Sequence, residues 1–246
     1  MAPVIEAQSL AKSFGGLTAV GNTSFVIEPA TIVGLIGPNG SGKTTTLNLL
    51  NGAIPPDSGS IRVQDAELAG KSSTAFVKAG VTRTFQNPRV FTTITAIENL
   101  LVPVLHTKAR GAKWREKAEE LLSFVGLLGH RDTPASELSG GQQKLLEFVR
   151  ALMTDPRIVL MDEPFAGVHP SVKEVMRARI LEKNKQGTAF LIVSHEIPDL
   201  TRLCSGIICM SDGEVIASGT PADVTSHPKV IEAYLGVGPA ARGERG

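Results

Sequence analysis

Three short apolar runs punctuate the chain: Thr31-Ile32-Val33-Gly34-Leu35-Ile36, Ile158-Val159-Leu160-Met161 and Ala189-Phe190-Leu191-Ile192-Val193. Each is too short for a helix and none alternates with polar residues, the pattern of strands buried on both faces of a parallel sheet. Polar residues come directly after each run: Gly37 to Thr44, then Asp162-Glu163-Pro164, then Ser194-His195. Ligands of open parallel sheets bind outside the carboxyl ends of the strands, so the three strand ends are expected to share one site. Upstream the pattern turns to alternation in Phe25-Val26-Ile27-Glu28, and Ser60-Ile61-Arg62-Val63 reads as another short strand. Together these predict a small antiparallel sheet beside the main one. Between about residues 88 and 151 a helical period takes over. Trp114 to Val125 carries Glu and Lys on one side and Leu121, Leu122 and Val125 on the other, which predicts a helical lobe.

Composition narrows the class. The 246 residues suit one large domain or a core with a lobe attached, here spanning 1–236. Residues 237–246, rich in Gly, Pro, Ala and Arg, are expected to form a mobile tail. Net charge is 25 − 24 = +1, which offers no overall attraction for nucleic acid or an anionic membrane, and no nucleic-acid partner is expected. With only 9 Phe, 1 Trp and 1 Tyr, the core must be aliphatic. Cys204 and Cys209 can form neither a disulfide framework nor a metal site, which suits a reducing compartment. The first ten residues lack the basic and apolar regions of a secretory signal, and no apolar run approaches the roughly 18 residues that span a bilayer. A role at a membrane would therefore run through another subunit.

The segment Gly37-Pro38-Asn39-Gly40-Ser41-Gly42-Lys43-Thr44 fits G-x-x-x-x-G-K-[ST], after a strand and before the helix candidate Thr44–Leu50. Its glycines let backbone N–H groups turn inward around phosphates, and the next helix points its positive end at the same charge. Lys43 adds a cation, the Thr44 hydroxyl suits Mg²⁺, and Thr45 completes the nucleotide-binding set. A guanine-reading Asn-Lys-x-Asp is missing, since Asn184-Lys185-Gln186-Gly187 lacks the carboxylate. At the end of its apolar run, Asp162 can hold Mg²⁺ through water, and Glu163 is placed to orient or deprotonate an attacking water.

A second glycine-rich string, Leu138-Ser139-Gly140-Gly141-Gln142, precedes the helix candidate Gln143–Met153. It suits either a plain helix cap or a second anion site with a hydroxyl and free N–H groups. One γ-phosphate does not need two cradles on one chain. As an anion site, the string implies two copies meeting head to tail, each closing the other's nucleotide.

With these elements in order, the chain resembles the nucleotide-binding subunit of an ATP-binding-cassette transporter over nearly its whole length. Phe14 resembles the aromatic that stacks on adenine, with Val20 a candidate to share the contact; Gln86 resembles the lid glutamine; Leu138 to Gln142 resemble the signature; Asp162 and Glu163 resemble the second Walker element; His195 resembles the switch histidine. The resemblance implies an α/β P-loop cassette with a mainly parallel core sheet, an antiparallel N-terminal subdomain and a helical lobe. ATP would lie between Gly37–Thr44 of one chain and Ser139, Gly140, Gly141 and Gln142 of the other. It further implies Glu163 as base, Lys43 and His195 on the γ-phosphate, and Thr44, Asp162 and Gln86 around Mg²⁺. The implied partners are transmembrane permease subunits and a second ATPase chain, identical or paralogous, placing the protein at the cytoplasmic face of a membrane.

The strings Arg83–Phe91 and Ile97–Val102, with Phe14-Gly15-Gly16-Leu17, Gly219-Thr220-Pro221 and Tyr234-Leu235-Gly236, resemble the ATPases of branched-chain amino-acid importers. Importers of urea or amides and the lipopolysaccharide-export ATPase share several of them, and Glu163 to Val168 leans toward the last. A soluble cassette ATPase acting on ribosomes or nucleic acid is the other class, against which stand the single phosphate loop and single signature. One position departs from the family: His169 stands where Asp or Asn is usual. Its imidazole would either make closure pH-sensitive or accept the same hydrogen bond as Asn.

Overall fold

The computed structural model describes residues 2–105 and 111–235, so the tail expected over 237–246 lies outside the described residues. In chain order the elements are β1 (Ile5–Phe14), β2 (Leu17–Ile27), β3 (Ile32–Ile36), α1 (Lys43–Leu50), β4 (Ser58–Val63), β5 (Ala66–Glu67), α2 (Ser73–Lys78), β6 (Val81–Thr84), α3 (Ala96–Leu101), α4 (Gly111–Phe124), α5 (Gly140–Leu152), β7 (Ile158–Asp162), α6 (Pro170–Lys185), β8 (Ala189–Val193), α7 (Ile197–Leu203), β9 (Gly206–Ser211), β10 (Glu214–Gly219), α8 (Pro221–Thr225) and α9 (Pro228–Leu235). They form two sheets. An antiparallel sheet runs β2-β1-β4-β5, and a six-stranded sheet runs β10-β9-β3-β8-β7-β6, parallel except for the β10 edge.

The unbroken apolar runs reflect burial on both faces. In β8 every residue is buried; Phe190 and Ile192 pack on the helices α3 to α7, while Ala189, Leu191 and Val193 pack toward α1, α2 and the antiparallel sheet. Each large apolar side chain among them contributes about 1.5–3 kcal/mol by leaving water. The register then sets the chemistry: Val193 pairs with both Leu35 and Asp162. The ends of β3, β8 and β7 are therefore level, and the polar segments Gly37–Thr44, Ser194–His195 and Glu163–Pro164 emerge on one edge of the sheet.

The structure redraws some sequence-based bounds. Thr31 stays outside β3 because its hydroxyl closes a turn onto the Glu28 carbonyl (2.7 Å). The signature is not a loop before its helix: α5 begins at Gly140, three residues earlier than expected, with Ser139 as its N-cap. The cause is a capping box, in which Ser139 Oγ accepts from the Gln142 N–H (3.3 Å) and Gln142 Oε1 accepts from the Ser139 N–H (2.9 Å). His169 is the N-cap of α6, its Nδ1 accepting from the Ser171 N–H at 3.3 Å. That is the bond an Asn or Asp cap would accept.

Candidate nucleotide site

The loop between β3 and α1 turns on two glycines whose surroundings leave no room for a side chain. Gly37 (φ +149°) and Gly42 (φ +100°) have backbone conformations rare for side-chain-bearing residues, and a Cβ on them would meet the Met210 carbonyl at 2.2 Å and the Ala19 carbonyl at 2.3 Å. The turn so made aims Lys43 back over the loop. Its Nζ donates to the carbonyls of Gly37 and Pro38, both at 2.8 Å, and lies 3.3 Å from Ser41 Oγ. Burial lowers the Lys43 pKa, opposed by the nearby groups Glu163, Cys209 and Asp162. A desolvated ammonium inside a glycine turn at a helix N-terminus fits a polyphosphate.

One cleft of about 570 Å³ gathers Asn39, Gly40, Gly42, Lys43, Thr44, Thr45, Gln86, Asp162, Glu163 and His195, walled by Ala19 and Val193. The ends of four strands, β3, β6, β7 and β8, thus place the expected phosphate, metal and base groups together. Glu163 takes φ +48°, a conformation costing of order ~1–3 kcal/mol and concentrated at functional sites. Its N–H donates to the Val193 carbonyl (2.9 Å), and its Oε2 lies 3.0 Å from His195 Nδ1. The imidazole is 62% exposed while the carboxylate is 12% exposed, so the histidine is the freer member of the pair. Behind it α7 is anchored by Lys173 to Glu196 (2.6 Å) and by Arg177 to Asp199.

The oxygen donors Thr44, Gln86 and Asp162 on this cleft fit a hard divalent cation. Asp162 is not free in its pocket. Arg83 on β6 donates to its Oδ2 (2.9 Å) and to Asn48 Oδ1 on α1 (2.6 Å), stitching β7 to α1. Burial lowers the Arg83 pKa, and Asp162 opposes the shift.

Other expected residues sit elsewhere. Ser41 is buried under the loop, its carbonyl accepting from the Gly213 N–H (3.2 Å). Phe14 is 49% exposed at the β1–β2 turn, with Lys12 Nζ 5.6 Å from its ring centroid, and does not line the cleft. Val20 is wholly buried in the core between the antiparallel and main sheets and presents no surface to a nucleotide; the preceding residue, Ala19, lines the cleft instead. Ser139 to Gln142 do not line it either. Two further contacts have no sequence signal. Tyr234 on α9 accepts from the Gly37 N–H (2.9 Å), and Lys144 on α5 donates to the Ala166 carbonyl (2.6 Å) and the Glu163 carbonyl (3.4 Å). No motif marks residues that act on backbone groups distant in sequence.

The fold agrees with that of relatives found by comparison. The ABC transporter family profile matches residues 20–166, and one described as branched-chain amino acid ATP-binding cassette transporter matches 214–240. The probable branched-chain amino acid transport ATP-binding protein LivG of Archaeoglobus fulgidus is 36% identical over 95% of each chain. The high-affinity LivG of Escherichia coli is also 36% identical, over 95% of this chain and 98% of that one. A crystal structure of the ADP conformation of an ABC transporter's ATP-binding cassette superposes with a TM-score of 0.87 at 32% identity, covering 96% of this chain and all of the other. A glycine cradle, a level set of strand ends and full-length similarity coincide: the chain belongs to the ABC transporter family, as an ATP-binding subunit.

Proposed function

We propose that this subunit hydrolyses ATP and powers the import of branched-chain amino acids by head-to-tail closure of two ATPase chains against transmembrane permease subunits at the cytoplasmic face of a membrane. The observation that carries the reading is the division of the machinery. Lys43, Thr44, Gln86, Asp162, Glu163 and His195 share one cleft, while Ser139 to Gln142 lie outside it at the start of α5. A second chain would supply the missing wall. The dimeric post-hydrolysis cassette bound to ADP and Pi, 25% identical with a TM-score of 0.78, supports such a pairing. The names of the LivG relatives and the match over 214–240 support the cargo.

Within that reading the cradle N–H groups and Lys43 bind the phosphates, and Phe14, exposed at the β1–β2 turn outside the cleft, would meet the adenine where the nucleotide extends beyond it. Thr44, Gln86 and Asp162 hold Mg²⁺, which when bound neutralises phosphate charge. Glu163 accepts the proton of the attacking water, and the exposed His195 steadies the γ-phosphate. Among the described residues no helix is long and apolar enough to cross a membrane, which suits attachment through permease subunits. Glu163→Gln, mixed with ATP and Mg²⁺ and sized by light scattering, should form a stable dimer with hydrolysis nearly abolished. Wild-type turnover in that variant would overturn the assignment of the base. Leucine uptake by vesicles holding the co-purified permease tests the cargo.

A further inference from the structure

The helix that begins with the signature also holds two of the loops of this chain's own cleft, through side chains spaced three residues apart. Lys144 takes the carbonyls of Glu163 and Ala166. Glu147 takes the N–H groups on either side of Gln86: its Oε2 accepts from Phe85 (3.2 Å) and its Oε1 from Arg89 (2.8 Å). Arg150 donates to the Arg89 carbonyl and lies 4.0 Å from the Glu147 carboxylate. Glu147 is only 3% exposed. A carboxylate in so dry a place is retained at a cost, since burial raises its pKa against the pull of the Arg89 and Phe85 N–H groups. Nothing in the signature or the Walker elements calls for it.

We propose that Glu147 is a positioning residue that locks the Gln86 loop to the signature helix, so that metal engagement in this chain's cleft and presentation of Ser139–Gln142 to the partner's nucleotide become one motion. The inference rests on the head-to-tail reading above. Its physical basis is short. Helix α5 is a rigid lever, with Glu147 about 12 Å along its axis from the Ser139 cap at 1.5 Å per residue. Any rotation of α5 that presents the signature must either carry Phe85 to Arg89 with it or break two charge-assisted hydrogen bonds in a site closed to water. Asn99 on α3 completes the frame, accepting from the Phe91 N–H (2.8 Å) and donating to the Phe91 carbonyl (2.9 Å), with Arg150 reaching its Oδ1 at 3.4 Å. The segment from Phe85 to Phe91 is thus tied at three residues to α5 and α3. Because coupling is reciprocal, whatever Gln86 gains by engaging the metal is passed to closure, and closure returns it.

The test uses the full chain in the Glu163→Gln background, with dimer mass measured against Mg²⁺ concentration at fixed ATP. Adding Glu147→Gln keeps the side chain's shape but sets an NH₂ against one of the two N–H groups. The expected result is a rise of about tenfold in the Mg²⁺ concentration at half-maximal dimer, the loss corresponding to one hydrogen bond to a charged group. ATP affinity of the monomer, measured without Mg²⁺, should stay within about twofold, because Glu147 touches neither the phosphate loop nor Phe14. An unchanged Mg²⁺ midpoint would overturn the coupling role and leave Glu147 as packing only. Absence of any dimer in Glu163→Gln alone would instead sink the head-to-tail reading, and the inference with it. If Glu147→Gln does not fold, Arg150→Gln, which removes the bond to the Arg89 carbonyl, should shift the midpoint in the same direction; no shift there overturns the proposal equally.

Discussion

Tyr234→Phe removes one oxygen atom and isolates one contact between α9 and the phosphate loop. In the native chain the Gly37 N–H, buried at the start of the loop, donates to that hydroxyl at 2.9 Å. Burial raises the Tyr234 pKa, partly offset by this bond, so the hydroxyl stays neutral at physiological pH. Deleting the acceptor leaves a buried donor without its partner, a loss of about 1–3 kcal/mol. Tyr234 is itself 38% exposed, so water can reach part of the space and the lower end, about 1 kcal/mol, applies. For a chain of this size that corresponds to a fall of about 2–4 °C in Tm and to roughly fivefold faster exchange of the Gly37 amide. Amide exchange by NMR on ¹⁵N-labelled protein reads the second quantity at one residue. A Gly37 amide exchanging at the wild-type rate in Tyr234→Phe would refute the contact and with it the view that α9 braces the loop.

Other outcomes rest on the same geometry. Gly42→Ala should cost more than Gly40→Ala in urea unfolding and in ATP affinity: both glycines have positive φ, but only at position 42 would the Cβ strike a backbone carbonyl, at 2.3 Å. Equal effects would contradict the cradle geometry. His169→Asn should leave unfolding free energy within about 1 kcal/mol and the pH–rate profile superimposable on wild type, since either side chain caps α6; a profile shifted by the substitution would revive a pH switch at this position. Glu147 titrates with a raised folded pKa, so above its ordinary value of 4.5 the folded state binds more protons than the unfolded. Wild-type stability should then fall, relative to Glu147→Gln, as pH rises from 4.5 through the folded pKa. Parallel stability–pH curves for the two proteins would contradict the burial of that carboxylate.

The parts of this architecture legible in the sequence are those whose physics is local. The apolar runs predict three parallel strands to within a residue because a strand buried on both faces has no polar alternation to blur it. The phosphate loop is equally plain, since its glycines answer a backbone requirement that only that spacing meets. The start of α5 is harder to place because Ser139 and Gln142 suit anion binding as well as capping, although a Ser-x-x-Gln string is itself a helix start. Val20 lies one residue from the position that faces the cleft: a strand's alternation decides which neighbour does, and β1–β2 pairing carries register shifts that sequence does not announce. The contacts of Arg83, Lys144 and Tyr234 are silent for a different reason, even though Arg83 and Tyr234 fall in strings that carry the family resemblance. Each bonds to a group brought near by the fold, and two of the three bond to backbone, which leaves no residue pattern to search for.

The most direct test of the central claim, that each site is made by two chains, is complementation. Lys43→Ala spoils the phosphate loop and Ser139→Tyr spoils the signature, so each variant alone should be nearly inactive. If the pairing is head to tail, a mixed dimer joins the intact loop of one variant to the intact signature of the other. An equimolar mixture should then recover roughly a quarter of wild-type ATPase activity, half the dimers being mixed and each of those holding one whole site. A mixture as inactive as its components would contradict the account.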